Sequence, residues 1–357
     1  MKRIICIFVC ALLIVPLGGC SASSIFGSKN KMYKEDFMTM DTSMELSASG
    51  KNAEKAVEES KKRLFKLNDM ASTTIKTSDI SKINDAAGKE YVKVHPEVIK
   101  MILASKKYSE ITSGEYDITV GPIVNLWGIG TDDQKIPGDS EIKARLPLID
   151  YKKISVNEKE SSVMLKDPDM AIDLGGVAKG FAGDEVLKIY KKYGIKNGLI
   201  NLGSSSIYAV GKNEDNGDWT VGVKHPRSEA SQNFLGILSV SDKGISTSGD
   251  YERFFIKNGK RYFHIMNPKT GYPVDNGIMS VTVVVDGSVK DANMLADILS
   301  LVVFELGAER GIKLINSMSN VSCEVTMTNY NVYTSKGFKN IMSDLNKDFK
   351  YKNLPSK

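Results

Sequence analysis

The 357-residue sequence predicts an α+β fold, and three observations carry that reading. Asn52 to Met70 is amphipathic, with Ala53, Ala56, Val57, Leu64 and Leu67 on one helical face. Leu199 to Ile265 is rich in strand patterns, and Asp291 to Leu306 is a strongly apolar helix stopped by Gly307. Helices and strands alternate without a steady βαβ rhythm, which argues against a doubly wound sheet.

The elements follow in order. Lys2 and Arg3 precede an apolar run from Ile4 to Leu17. That run is shorter than the roughly 20 residues of a membrane span and has the form of a secretory leader. It ends in Leu17-Gly18-Gly19-Cys20, which resembles a bacterial lipoprotein signal. The expected organisation is a signal peptide over 1–19, lipid on Cys20, a flexible tether over 20–35, one domain over 36–345 and a frayed Lys-rich tail over 346–357. This implies a chain lipid-anchored to the cell membrane on its extracytoplasmic face. Loss of Lys2 and Arg3 lowers the formal charge from +5 to +3. Cys323 then stands as an unlipidated lone cysteine in an apolar strand, a small buried hydrophobe. No basic cluster interleaves with aromatics, so nucleic acid is not expected. His95, His225 and His264 are too scattered for a zinc site.

Alternating polarity from Thr39 to Ser47 suggests a first strand. Pro96 opens a helix and Gly114 closes it. Thr112 to Trp127 joins the end of that helix to an extended run, and Met170 to Leu174 reads as a strand that turns into a helix ending near Tyr193. Asn258-Gly259, between Phe254–Lys257 and Arg261–Ile265, is a hairpin signal. Met279 to Val285 is a strand rich in β-branched residues.

Chemistry concentrates in few places. Asp173-Leu-Gly-Gly-Val-Ala-Lys-Gly180 puts an acid, glycines and a lysine where a helix begins, a site that suits an anion. It is neither a Walker loop nor the dinucleotide fingerprint. Asp297 is surrounded by apolar residues in nearly every helical direction, so it is either paired, with Lys290 for example, or an oxygen ligand for a hard cation. Tyr116 and Trp127 can stack on an aromatic ligand or lie in the core, and Asp117 can accept from ring N–H groups. His264 ends a strand before a Pro/Gly turn.

Five ordered segments resemble the ApbE-type FAD:protein FMN transferases: the Met40 region, Gly114 to Pro122, Asp173 to Gly180, Thr247 to Arg253 with His264 to Pro273, and the Asp297 helix. The resemblance covers roughly Asp36 to Leu345 and implies a bilobal, T-fold-like α+β fold with FAD and magnesium in the cleft. It implies transfer of FMN from FAD to a Thr or Ser of a secreted or membrane electron-transfer protein, through a phosphoester and with release of AMP. By position, Asp297 and the Gly176 carbonyl are the implied metal ligands. Met40, Glu115, Tyr116, Asp117, Asp173, Lys179, His264 and Ile265 are the implied flavin-nucleotide contacts. Lys179 would also neutralise phosphate, and Asp250 and His264 are candidate bases.

Two departures stand out. The family's Thr four residues after the metal Asp is Leu301 here, with Ser300 beside it as the alternative oxygen. The family's Asn-x-Gly-Gly-Asp is Asn201-Leu-Gly-Ser-Ser-Ser206. Alternatives are a metal-dependent FAD pyrophosphatase giving FMN and AMP, or a non-catalytic FAD-binding lipoprotein.

Overall fold

A computed structural model describes residues 32–230 and 233–354. The signal peptide and Cys20 lie outside the described residues. A hairpin of β1 (Met32–Thr39) and β2 (Thr42–Ser49) leads into α1 (Ala53–Ala71) and α2 (Asp79–Asp85). A short β3 (Val92–Lys93) precedes α3 (Pro96–Ile111), α4 (Gly121–Trp127) and α5 (Asp139–Arg145). Then come β4 (Ile154–Asn157), β5 (Ser162–Leu165) and α6 (Ala178–Lys192). The strand-rich part holds β6 (Gly198–Leu202), β7 (Ser206–Val210), β8 (Trp219–Lys224), β9 (Phe234–Val240) and β10 (Lys243–Gly249). It continues with β11 (Phe254–Lys257), β12 (Lys260–Phe263) and β13 (Ile278–Asp286). After α7 (Ala292–Leu306) and α8 (Ala308–Asn316), the chain ends in β14 (Val321–Met327), β15 (Asn331–Thr334), β16 (Met342–Ser343) and β17 (Lys350–Tyr351).

The frame is a nine-stranded sheet in the order β1-β2-β6-β7-β10-β13-β14-β15-β17. All its ladders are antiparallel except β15 with β17. One face packs on the helices: Val281, Val283, Val285, Cys323 and Val325 join the α1, α3, α6 and α7 core. The other face carries Ala209, Ile245, Val284 and Val332 against Val221, Val223, Leu235, Leu238 and Met342 of the small β16-β9-β8 sheet. Coverage on both faces explains why β13 is a near-continuous apolar run rather than an alternating one. Cys323 is buried, and burial pushes its thiol up to about 12, as a small core hydrophobe requires.

Several local expectations change. Thr39 to Ser47 spans a turn rather than one strand. Met40 and Asp41 take φ of 50° and 57°, the two positive values a tight hairpin turn needs. The expected tether is strand from Met32 onward. Met170–Leu174 forms only an isolated bridge, Ala171 with Val120, and the following helix begins at Ala178 rather than at the glycines. The extended run predicted up to Trp127 contains α4. The tail is not frayed through Tyr351: Phe349 is buried and Lys350–Tyr351 pairs with β15. No helix of the described residues is long and apolar enough to cross a membrane.

Candidate active site

The site is built where α6 meets α7. A Cβ on Gly180 would stand 2.4 Å from the Asn293 carbonyl oxygen and 2.6 Å from Asp297 Cβ. On Gly183 it would stand 1.9 Å from Asn293 Nδ2. Only glycine permits so close a helix contact. The contact lets the Gly180 N–H donate to Asp297 Oδ2 at 2.8 Å, while Ser246 Oγ of β10 donates to Oδ1 at 3.0 Å. Asp297 is buried, and burial pushes its carboxyl up; Lys179, the Gly180 N–H and the Ser246 hydroxyl work in the opposite direction. Its partners are therefore the helix start and a strand hydroxyl, not Lys290.

Asp184 of α6 sets the position of α7. Its two oxygens accept the Asn293 and Met294 N–H groups at 3.1 and 2.9 Å, which satisfies donors that a helix start leaves free. Burial raises Asp184 to about 6. The sequence reading passed over it, although an acid among Phe181, Ala182 and Val186 carries the same signal as Asp297.

The loop before α6 is shaped by Asp173, whose Oδ1 accepts the Gly175 N–H at 2.6 Å. Asp173 also donates its own N–H to the Ile118 carbonyl at 2.8 Å, which ties the loop to the Glu115–Asp117 segment. A Cβ on Gly176 would meet Leu301 Cδ1 at 2.1 Å and Tyr116 Cε2 at 4.0 Å. Leu301 thus lies over Gly176, but carbon donates no electron pair to a cation. Ser300 does not replace it: its Oγ donates to the Asp297 carbonyl at 2.8 Å and shares a 2.7 Å hydrogen bond with Ser248, away from the carboxylate. Among the described residues no group of three His, Cys, Asp or Glu side chains is arranged to hold a metal. Asp297 and the oxygens near it suit a magnesium that keeps water and takes its other ligands from phosphate.

Lys179 stands one residue before Gly180 and has no hydrogen-bond or ion-pair partner among the described residues, although its charge is felt by Asp297 and His264. His264 follows β12 and donates its backbone N–H to the Arg253 carbonyl at 3.1 Å. Its Nδ1 is buried without a partner. Burial, then the Arg253 and Lys179 charges, lower the imidazole to about 3, so it is neutral at physiological pH. Asp297, Lys179, His264 and Arg253 therefore form one electrostatic neighbourhood, in which Arg253 had no role of its own from sequence alone.

The other expected site residues have partners within the protein. Asp250 is not a free base, because its two oxygens accept from Arg227 Nη1 and Nη2 at 2.6 Å each. Both Asp117 oxygens are used inside the protein: Oδ1 accepts from Thr119 N and Oγ1 at 2.8 and 2.7 Å, and Oδ2 from Tyr151 N at 2.9 Å. Glu115 forms a bidentate pair with Arg310 of α8 at 2.6 and 2.5 Å. Tyr116 is buried, with its hydroxyl 3.2 Å from Ser105 Oγ. Trp127 is core as well: its Nε1 donates to the Gly271 carbonyl at 2.8 Å and its ring stacks on Tyr262. Ile265 is buried and its carbonyl accepts the Val274 N–H at 3.0 Å. Met40 packs partly buried against the main core in its left-handed turn. Glu305 was not anticipated. It lies two turns beyond Asp297 on α7, with Oε2 buried and unpartnered, and burial beside Asp117 and Glu115 holds its carboxyl well above the usual range.

Comparison with known proteins bears on this arrangement. The model of the ApbE family matches residues 40–325. The FAD:protein FMN transferase of Klebsiella pneumoniae is 32% identical over 277 residues, 76% of this chain and 84% of that protein. That of Vibrio cholerae is 32% identical over 285 residues, 78% of this chain and 82% of the relative. The crystal structure of the ApbE protein from Thermotoga maritima superposes with a TM-score of 0.79 at 27% identity, covering 88% of this chain and all of that one. The flavin transferase ApbE from Vibrio cholerae gives 0.76 at 26% identity, over 87% of this chain and 99% of that one.

Proposed function

Since the chain belongs to the ApbE family, we propose that it transfers FMN from FAD to a Thr or Ser hydroxyl of an acceptor flavoprotein. The observation that carries this reading is the convergence of Asp297, unpaired Lys179 and the unpartnered Nδ1 of His264 at the start of α6. The acceptor oxygen attacks the FMN-side phosphorus of FAD and the bond from that phosphorus to the bridging oxygen breaks. AMP leaves with the bridging oxygen, and the flavin stays attached to the acceptor oxygen by a phosphoester. The hydroxyl proton passes to the unprotonated ring nitrogen of neutral His264. Burial is the main cause of its low basicity, and an anionic ligand beside Lys179 and Arg253 offsets only the smaller part that those charges add.

Phosphoryl transfer needs charge neutralisation and alignment more than covalent help. Lys179 and the N–H groups at the start of α6 supply positive potential for the pyrophosphate. The Asp297 carboxylate and the Gly176 carbonyl are the residues that would hold magnesium. Bound there, the ion would neutralise pyrophosphate charge. Leu301 leaves such an ion more dependent on water and phosphate oxygens than a threonine would.

In the same reading, Cys20 carries lipid, the enzyme works at the outer side of the cell membrane, and its acceptor is a secreted or membrane electron-transfer protein. The test incubates the soluble domain with FAD and magnesium, with and without a soluble electron-transfer domain bearing an FMN-acceptor Thr or Ser. A covalent FMN adduct by intact mass, with AMP released, supports transfer. AMP and free FMN in both tubes make the chain a pyrophosphatase, and intact bound FAD makes it a carrier.

A further inference from the structure

The hairpin that leads into His264 carries more than the transfer chemistry uses. β11 and β12 pair only with each other among the described residues, so both outer edges are open. One face of the hairpin is anchored: Phe255 stacks on Tyr262 at 5.3 Å, and Tyr262 on Trp127 at 5.6 Å. The register places Phe254, Ile256, Arg261 and Phe263 together on the opposite face; Phe263 is buried against Phe304 of α7, and Phe254 and Ile256 on β11 are left exposed. Ile256 is 60% exposed and Phe254 37% exposed there, with the Arg261 guanidinium 3.7 Å above the Phe254 ring. β12 also walls a cavity of about 350 Å³ whose other side is the Asn267–Asp275 turn.

Charge distinguishes this face from ordinary exposed apolar surface. Arg261 Nη1 is buried and has no partner. The nearby carboxylate, Asp250, is fully engaged by Arg227, so two guanidiniums share one acid and a positive charge is left over. The charges that bear on Arg261 are those of Arg227 and Asp250, not Lys179 or Asp297. Burying an unpaired cation is costly, and a carboxylate arriving from outside would relieve that cost.

We infer that the exposed face and open edge of this hairpin seat the acceptor protein, through an extended segment with an acidic side chain near the modified hydroxyl. Its carboxylate pairs with Arg261, and an apolar side chain covers Phe254 and Ile256. Because His264 follows β12 directly, a segment held along β12 brings its hydroxyl to the reacting end of the site. Strand addition at an open edge supplies affinity through the backbone, while side chains supply selectivity. This inference rests on the transferase reading.

The test uses Arg261→Gln, Ile256→Asp and an acceptor domain whose acids near the acceptor hydroxyl are changed to amides. Transfer is followed against acceptor concentration, and FAD affinity by flavin fluorescence. We expect Arg261→Gln to raise the half-saturating acceptor concentration about tenfold and Ile256→Asp several-fold, with FAD affinity within about twofold of the parent. The amide acceptor should show the same loss with the parent enzyme and no further loss with Arg261→Gln. Ile256 is exposed, so its variant reports on docking without disturbing the core. Unchanged acceptor dependence in both variants overturns the inference, as does a loss of FAD affinity in Arg261→Gln, which would assign the guanidinium to the dinucleotide. A parent enzyme that releases AMP but forms no adduct overturns the transferase reading itself, and the docking surface with it.

Discussion

Asp297 and Glu324 are two buried carboxyl groups on opposite sides of the same sheet, and their surroundings differ in kind. Asp297 lies on the helix side, where it accepts a backbone N–H at the start of α6 and feels Lys179. Glu324 points to the other face of β14, between Cys323 and Val325, which join the helix-side core. Its oxygen accepts from the Thr326 hydroxyl, Thr282 is its cross-strand neighbour, and no basic group bears on it. Burial raises Glu324 to about 7 against these hydroxyls. The comparison teaches that burial alone does not make a site. A buried acid becomes usable when N–H groups and a cation converge on it, and of these two only Asp297 has them.

The sharpest break of the comparison is Asp297→Ala. It should lower metal-dependent turnover on the order of 10³-fold, since a methyl group cannot hold a cation. AMP release measured with and without EDTA checks it, and equal rates in both would remove the metal role. Glu324→Gln should leave turnover intact and change stability instead. The folded-state value of about 7 lies above the ordinary 4.5, a difference of roughly 3 kcal/mol. The folded state thus holds the extra proton, and the parent loses this stability as pH rises from about 4.5 through 7. The glutamine variant should lack that decline, as urea titrations at pH 5 and 8 would show; parallel declines would mean that Glu324 does not titrate.

His264→Gln should lower transfer by about 10²-fold with FAD affinity kept, the usual size of a lost general base. A matching loss of FAD affinity would make the residue a binding group. Lys179→Ala should weaken FAD about tenfold at low salt and less at high salt, because the interaction is with phosphate charge. Fluorescence titration at two ionic strengths measures it, and a salt-independent loss would point to packing. The smallest effect belongs to Leu301→Thr, which should tighten magnesium a few-fold by adding an oxygen beside Gly176. Calorimetric titration with FAD present checks the shift, and no change would show that this helix position does not reach the ion.

Much was legible from local pattern. Pro96 starts its helix, Gly307 at φ 84° follows α7, and Asn258-Gly259 turns its hairpin, because each depends on a few neighbouring backbone angles. Asp297 stood out because a charge inside an apolar helix is a conflict visible in sequence alone. Asp184 presented the same conflict and was passed over. The ordered segments that resemble the ApbE family were also readable without coordinates.

What only tertiary structure decided is which partner each polar group finds. Asp250 is held by Arg227, Glu115 by Arg310 and Asp117 by Tyr151, across separations of 23, 195 and 34 residues. The tail docks beside β15 because Phe349 finds a core, although its lysines read as a solvated end. Residues 170–174 stay out of the sheets, and their backbone pairs instead with the Asn84 side chain of α2, with Ile118 and with Val120. Sequence determined which backbone turns and apolar faces were possible, since those are set within a few residues. Charge pairing required the folded chain, because a carboxylate's partner is chosen by proximity in space.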